Sequence, residues 1–308
     1  MKAAHVLTLL FLSTGSITSA FAQDQMIIGQ IQFIANLHPA IQVNNTKRGV
    51  IGYATRPITA FDEKGENVCI LCETLPTIEN GLAKIVDRNG QKGMDVTIKL
   101  KAGLKWGDGV AVTAKDIAFT WKIGTDPAIG FSNYNPWTRA SSVDVVDEQT
   151  AIMHLPSVQT GFNSWDQILP EHLEGPVYAE NKTGDAYLKQ TNYNKAPTLP
   201  GLWNGPFLFS SYQPGTRVVM EKNPYFQPAP KLDRIILAYR DNSSALMQNF
   251  IAGAIDAVPV SPGGISFAQF LELKKSYPDR FQYFVDPGDN LERIAVALDN
   301  PILSDIRV

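Results

Sequence analysis

Cysteine, histidine and long apolar runs are all scarce in this sequence, and each scarcity removes a class of function. The two cysteines, Cys69 and Cys72, stand in a single C-x-x-C. A structural zinc site needs four ligands, and no nearby Cys or His supplies the missing two. A thioredoxin-like pair should open a helix that follows a strand, where the helix dipole lowers the thiol pKa. Here Glu73, Leu75-Pro76-Thr77 and Glu79-Asn80-Gly81 follow instead, which reads as loop. In an oxidising compartment the pair could close a local disulfide. The chain has four histidines, and those past the first residues, His38, His154 and His172, lie far apart with no i, i+4 partner. They read as surface or hydrogen-bonded side chains, because a ligand or general base needs a positioned second group.

Positive charge is also thin. The net charge is −3 and no Lys/Arg-rich run occurs, which argues against a nucleic-acid binder. No G-x-S-x-G, Walker A, H-E-x-x-H or G-x-G-x-x-G sequence is present. Carboxylates are many but unpaired by spacing, and Asp108 sits in Gly107-Asp108-Gly109, a common turn sequence. Enzyme is therefore the weaker class. It survives as an alternative, an exported hydrolase or a thiol oxidoreductase using Cys69 and Cys72.

What is present is an ordinary soluble composition, 44% hydrophobic and 19% charged over 308 residues. The first 22 residues form a separate object. Lys2 gives a positive start, Val6 to Leu12 is an apolar run, and Ala20-Phe21-Ala22 is a small-x-small cleavage site. That order is a signal peptide, too short to span a bilayer. No cysteine follows at the cleavage point, so no lipid anchor is expected. The mature protein is expected in the periplasm.

Along the chain, strands and helices alternate without an internal repeat. Met26 to Gln32 reads as a first strand, broken by Asn36-Leu37-His38-Pro39. Residues 56 to 93 read as loops with short strands. Met94, Val96, Ile98 and Leu100 alternate with Asp95, Thr97, Lys99 and Lys101, the period of a half-buried strand. Lys105 to Gly109 is a turn, and Thr113-Ala114-Lys115-Asp116 is a capping box for a helix ending near Gly124. Val143–Val146 pairs with Thr150–Leu155. Phe207–Ser210 pairs with Arg217–Lys222 around Gln213-Pro214-Gly215-Thr216. Asp233–Arg240 is a strand, and Asn242-Ser243 caps a helix stopped by Gly253. Ser266–Ser276 is a further helix, followed by short strands at Phe281–Val285 and Arg293–Leu298. The pattern predicts an α/β or α+β fold. Aromatic residues stand out: Trp106, Trp121, Trp137, Trp165 and Trp203, with Tyr134 beside Trp137. Such rings suit ligand clefts, and core packing competes for most of them.

Four segments together carry a resemblance. The longest runs from Leu100-Lys101-Ala102-Gly103 through Trp106-Gly107-Asp108-Gly109 to Thr113-Ala114-Lys115-Asp116. The second is Asn204-Gly205-Pro206-Phe207, then Tyr212-Gln213-Pro214-Gly215, then Asn223-Pro224-Tyr225-Phe226. The third is Leu232-Asp233-Arg234-Ile235 through Gly253-Ala254-Ile255-Asp256, and the fourth is Leu169-Pro170-Glu171-His172. In this order they resemble the family 5 extracellular solute-binding proteins, which bind oligopeptides, dipeptides, nickel chelates or related solutes. The resemblance implies a two-lobed α/β fold of the periplasmic binding protein type II class, with the solute between the lobes. It implies delivery of that solute, most simply a peptide, to the permease subunits of an ABC importer at the inner membrane. It implies a monomer that needs no cofactor and no metal, with Asp108 and the Thr113–Asp116 box as structure rather than ligand site.

The expected organisation is a signal peptide at 1–22, lobe I at 23–260 with an inserted subdomain at about 50–190, and a hinge with the start of lobe II at 261–308. In the family, Leu303-Ser304-Asp305-Ile306-Arg307-Val308 leads into the rest of lobe II, so a fragment or a non-functional truncated product is also expected as a reading. Cleft residues are expected at Phe33, Asn36, Trp137, Trp203, Asn204 and Gly205, after the first strand or at family-like turns.

Overall fold

The computed structural model describes residues 24–88, 90–132, 136–260 and 263–285. The signal peptide, Tyr134, the strand expected at Arg293–Leu298 and the segment at Leu303–Val308 lie outside the described residues. By its internal contacts the chain divides into two units, Met1–Ser266 and Phe267–Val308.

The first unit holds two four-stranded sheets, each with its own core. The strands are Gln25–Gln30 (β1), Thr59–Phe61 (β2), Asn67–Cys69 (β3), Ala83–Arg88 (β4), Gln91–Lys99 (β5), Ser142–Val145 (β6), Thr150–Leu155 (β7), Phe207–Gln213 (β8), Arg217–Lys222 (β9) and Arg234–Tyr239 (β10). The helices are Asn45–Ile51 (α1), Ala114–Gly124 (α2), Glu171–Glu180 (α3), Gly184–Gln190 (α4), Asn192–Lys195 (α5) and Ser243–Ile251 (α6). The second unit contributes Phe267–Ser276 (α7), with Phe270 and Leu273 buried.

The first sheet has the order β1-β10-β9-β8. β1 runs parallel to β10, pairing Ile28 with Leu237, and the other neighbours are antiparallel. On the free edge of β1 the backbone of Ala257 pairs with Ile28 in parallel, and the Gly29 amide donates to the Ala257 carbonyl at 2.9 Å. Further along, the Ile31 amide donates to Gly263 at 2.8 Å. The second sheet, order β4-β5-β7-β6, is antiparallel throughout and falls within the sequence between β1 and β8.

The period-two reading of β5 explains its core. Met94, Val96 and Ile98 are fully buried and face Leu155, Met153 and Ala151 across the β5–β7 ladder. Opposed apolar pairs on one face are what stabilise a sheet. Each large side chain so buried contributes about 1.5–3 kcal/mol of transfer free energy. Trp106, Trp137, Trp165 and Ile117 of α2 complete this core. The hairpin β8–β9, strand β10 and helices α2, α6 and α7 lie within two or three residues of their expected bounds.

Three expectations change. The stretch read as loops with short strands contains a six-residue strand, β4, whose turn into β5 leaves only two residues between the ladders. Exposed Lys84, Ile85, Asp87 and Arg88 hide the alternation, because β4 is an edge strand with little burial. Phe281–Val285 forms no strand. Helices α1, α3, α4 and α5 were not anticipated.

The capping box at α2 forms as expected and carries more than a helix end. The Asp116 carboxylate, 3% exposed, accepts from the Thr113 amide at 2.8 Å and from the Trp106 indole N–H at 3.2 Å. Its second oxygen accepts from the Glu171 amide, the first residue of α3, at 2.9 Å. Burial pushes its pKa up, and these three donors oppose that rise. Next to it, Gly107 donates its amide to the Trp203 carbonyl at 2.8 Å, and a Cβ there would lie 2.5 Å from the Pro200 carbonyl oxygen. The family-like turn therefore fastens the second core, through Trp106, to the first, through Trp203. Replacing Asp116 by Asn would set an amide NH2 against one of three donors. The expected cost is about 1–3 kcal/mol, read as a lower urea midpoint; an unchanged midpoint would show that the three bonds carry no net stability.

Candidate ligand-binding site

In open sheets with parallel neighbours, ligands gather beyond the carboxyl ends of the strands. β1 and β10 end together here, at Gln30 and Tyr239. The chain then turns through residues 31–44 into α1. Phe33 lies on Tyr212 and Tyr239, with ring centroids 5.3 and 4.9 Å away, and keeps partial exposure. The Thr46 hydroxyl donates to Gln32 at 2.9 Å.

Helix α1 divides this region by its own periodicity. Thr46, Lys47, Val50 and Ile51 face inward, while Asn45 and Arg48, three apart, face outward. The outward face forms one wall of an open hollow of about 550 Å3. The opposite wall is built by Thr59 and Phe61 of β2 and by Trp165 and Asp166. These two segments are stitched together: the Thr59 amide donates to the Trp165 carbonyl at 3.1 Å, and the Trp165 amide to the Thr59 hydroxyl at 2.8 Å. Phe61 is 65% exposed at the mouth. Trp165 is buried, lies tilted against Trp137 with ring centroids 5.6 Å apart, and its indole N–H has no partner among the described residues. A volume of this size, with aromatic surface, one guanidinium and one carboxylate, suits a small polar solute.

The inward face holds Lys47, 1% exposed. Its ammonium donates to the Ile41 carbonyl at 2.7 Å and to the Asn36 side-chain oxygen. The Asn36 amide in turn donates to Gln42 at 2.8 Å, and Gln42 takes the left-handed backbone conformation at φ 52°. Burial without a carboxylate partner lowers the Lys47 pKa to about 7. Nearby His38 is fully buried. Its Nδ1 accepts from the Ala40 amide at 3.2 Å, which assigns the ring proton to Nε2, 3.3 Å from the Tyr187 hydroxyl. Tyr187 donates onward to Glu174 at 2.7 Å. Burial, and then the charge of Lys47, hold the His38 pKa well below its usual value.

The expected cleft residues fare unequally. Phe33 and Asn36 stay partly exposed on the loop after β1. Trp137 and Trp203 are 1% and 0% exposed, packed in the two cores. Trp203 donates to the Pro197 carbonyl at 2.8 Å and meets Tyr193 and Phe209. Asn204 is buried and pairs by its side chain with the Arg56 backbone, at 2.8 and 3.2 Å. Gly205 lies so close to Ala54 that a Cβ would approach its carbonyl carbon to 2.5 Å. These four act as fastenings in the fold. None of the six lines the hollow. Arg48, Phe61, Trp165 and Asp166, which do, come from three separated stretches, and only Trp165 carried a prior signal, as an aromatic.

Other candidate chemistry is occupied. Cys69 and Cys72 are joined, with Cα atoms 5.2 Å apart, so neither is a free thiol. His154 bonds Asp95 at 2.7 Å and Asp144 at 3.0 Å, and His172 bonds Asp108 at 3.0 Å. Among the described residues no group of three or more His, Cys, Asp or Glu is placed to hold a metal, and no helix is long and apolar enough to cross a membrane.

The sequence profile of the bacterial extracellular solute-binding proteins, family 5 Middle, matches residues 77–308. The chain belongs to this family. It is 24% identical over 239 residues to the dipeptide-binding protein of Lactococcus lactis subsp. cremoris (strain MG1363), a match covering 72% of this chain and 41% of that one. Its fold is shared with the oligopeptide binding protein from Thermus thermophilus, solved with a pentapeptide, at a TM-score of 0.70 and 23% identity over 84% of this chain and 48% of that one. NikZ from Campylobacter jejuni, solved with Ni(L-His), gives 0.62 at 22% identity over 83% of this chain and 46% of that one. The architecture is thus that of the type II periplasmic binding proteins, as the sequence predicts. The chain spans less than half the length of each of these three proteins.

The depressed Lys47 pKa has a defined consequence for stability. Between about pH 7 and the ordinary value of 10.5, the unfolded amine holds a proton that the folded one has released. Folding stability therefore rises with pH across that window and loses this contribution as pH falls through 7. Denaturation of the wild type and Lys47→Met at pH 6, 8 and 10 reads it as a difference: the wild type should gain on the variant with rising pH. A flat difference would mean that the amine stays charged in the fold.

Proposed function

We propose that this chain supplies solute-recognition surface in an exported binding protein that feeds peptides to an ABC importer. The observation that carries this reading is the open hollow between α1 and the joined β2 and 164–166 segments, in a chain that belongs to a solute-binding family. Its two charges are of opposite sign, Arg48 and Asp166, and a peptide carries an ammonium and a carboxylate at its ends. Arg48 offers two parallel donors to a carboxylate. Phe61, exposed at the mouth, offers apolar contact whatever the side-chain sequence of the peptide. Phe33 and Asn36, on the loop after β1 and outside the lining of this hollow, are proposed as further solute contacts, with Lys47 holding Asn36 in place.

The role is binding and presentation, with no bond made or broken and no cofactor. Cys72 is fully buried and the element after the pair is strand β4 and not a helix, which weighs against the oxidoreductase alternative. The signal-like first residues and the extracellular character of the family support a location outside the cytoplasm, with an inner-membrane permease as partner.

Calorimetric titration of the full chain with a mixture of di- to pentapeptides, and separately with nickel and histidine, tests the assignment. Saturable peptide binding is expected, weakened about tenfold or more by Arg48→Gln, since a charge-assisted bond is worth about 1.5–3 kcal/mol. Peptide binding untouched by both Arg48→Gln and Phe61→Ala would move the site elsewhere. Binding of the nickel chelate alone would replace the solute class.

A further inference from the structure

A second hollow, of about 250 Å3, opens on another part of the first unit. It shares no lining residue with the larger one. Three of its lining residues are cations, Arg56, Lys101 and Lys105, and none carries a carboxylate. Two are aromatic, Tyr225 and Phe226, from the Asn-Pro-x-aromatic stretch that follows β9.

The three cations are not neutralised by the protein. No ion pair to an acidic side chain involves Arg56, Lys101 or Lys105 among the described residues. Arg56 is half-buried and spends only one guanidinium nitrogen on protein, donating from it to the Gly52 and Thr55 carbonyls at 2.8 Å each. Its backbone is clamped from both sides by the Asn204 side chain. The guanidinium carbon stands 5.4 Å from the Phe226 ring centre, and the Lys105 ammonium 5.3 Å from that of Tyr225. Lys101 donates to the Ile70 carbonyl at 2.8 Å, which keeps two of its three protons available. Like charges gathered at one concavity repel one another and focus a positive field into it. Burial also lowers the Arg56 pKa, the sign of a cation held partly out of water without a counter-charge. A bound anion relieves both costs.

We propose that this second hollow binds a small oxyanion, a phosphate or carboxylate group, held by Arg56, Lys101 and Lys105 with any attached planar apolar part lying on Tyr225 and Phe226. Arg56 is the directional partner, since its free guanidinium edge matches two oxygens, and the lysines act as point charges. The volume admits a small molecule or one terminal group of a larger one, and excludes a folded chain.

The probes are inorganic phosphate and phenyl phosphate, titrated calorimetrically against the full chain at constant ionic strength set with sodium chloride. Saturable binding of both is expected, with phenyl phosphate the tighter. The double variant Lys101→Gln, Lys105→Gln touches only exposed side chains, so the fold should survive. It should weaken both probes at least tenfold. Tyr225→Ala should abolish the advantage of phenyl phosphate and leave inorganic phosphate unchanged, which separates recognition of the free anion from recognition of an anionic group on a larger molecule. Peptide affinity should not move in either variant, so failure here is distinguishable from failure of the peptide reading. Heat that does not saturate, or that matches an equal charge of chloride, would overturn the proposal, as would equal affinity in the double variant.

Discussion

One carboxylate does much of the organising. Asp116 receives the backbone of its own helix cap, the indole of the preceding turn and the first amide of α3. Three stretches, the farthest of them 55 residues from Asp116, meet on two oxygens. Because the group is buried, each donor it satisfies would otherwise be a desolvated N–H, and each oxygen a desolvated charge. The same turn reaches the other core through Gly107 and Trp203. The two sheets of the first unit are thereby fixed to each other by directional bonds where apolar packing alone would permit sliding. The walls of the larger hollow inherit that fixity, since Val50 and Ile51 of α1 belong to the first core and Ile58 and Trp165, beside β2, to the second.

Most of this frame was legible in the sequence, for a physical reason. Period-two alternation at β5, the Thr113–Asp116 box and the turn after β8 are local signals, written within a few consecutive residues. β4 was missed because an edge strand buries little and shows little alternation. α1 was missed because its inward face is made partly of Thr46 and Lys47, which an apolar-periodicity test counts as exterior. A lysine in a core is visible only when the acceptors around it are known, and those come from Asn36 and Ile41 in a loop.

The site was less legible than the frame. Trp203, Asn204 and Gly205 stand out in sequence because they make a tight, demanding junction with residues 54–56, and a demanding junction looks like a functional motif. The hollow is lined by residues of ordinary type, Arg48, Phe61 and Asp166, whose meaning comes from being opposite one another across a gap. Juxtaposition of remote segments leaves no local trace. The cationic hollow is a similar case: Arg56, Lys101 and Lys105 are inconspicuous until the fold draws them to one mouth.

The parallel pairing of β1 with β10 also sets a schedule. A ribosome adding about 5–20 residues per second needs roughly 10–40 s to pass from residue 30 to residue 239. Through that interval Ile27 and Ile28 have no strand to join, whereas β4 to β7 can close upon themselves as soon as residue 155 emerges. The inserted sheet is thus free to fold as a nascent unit, and the first strand must wait, unpaired and apolar, for a partner more than two hundred residues downstream.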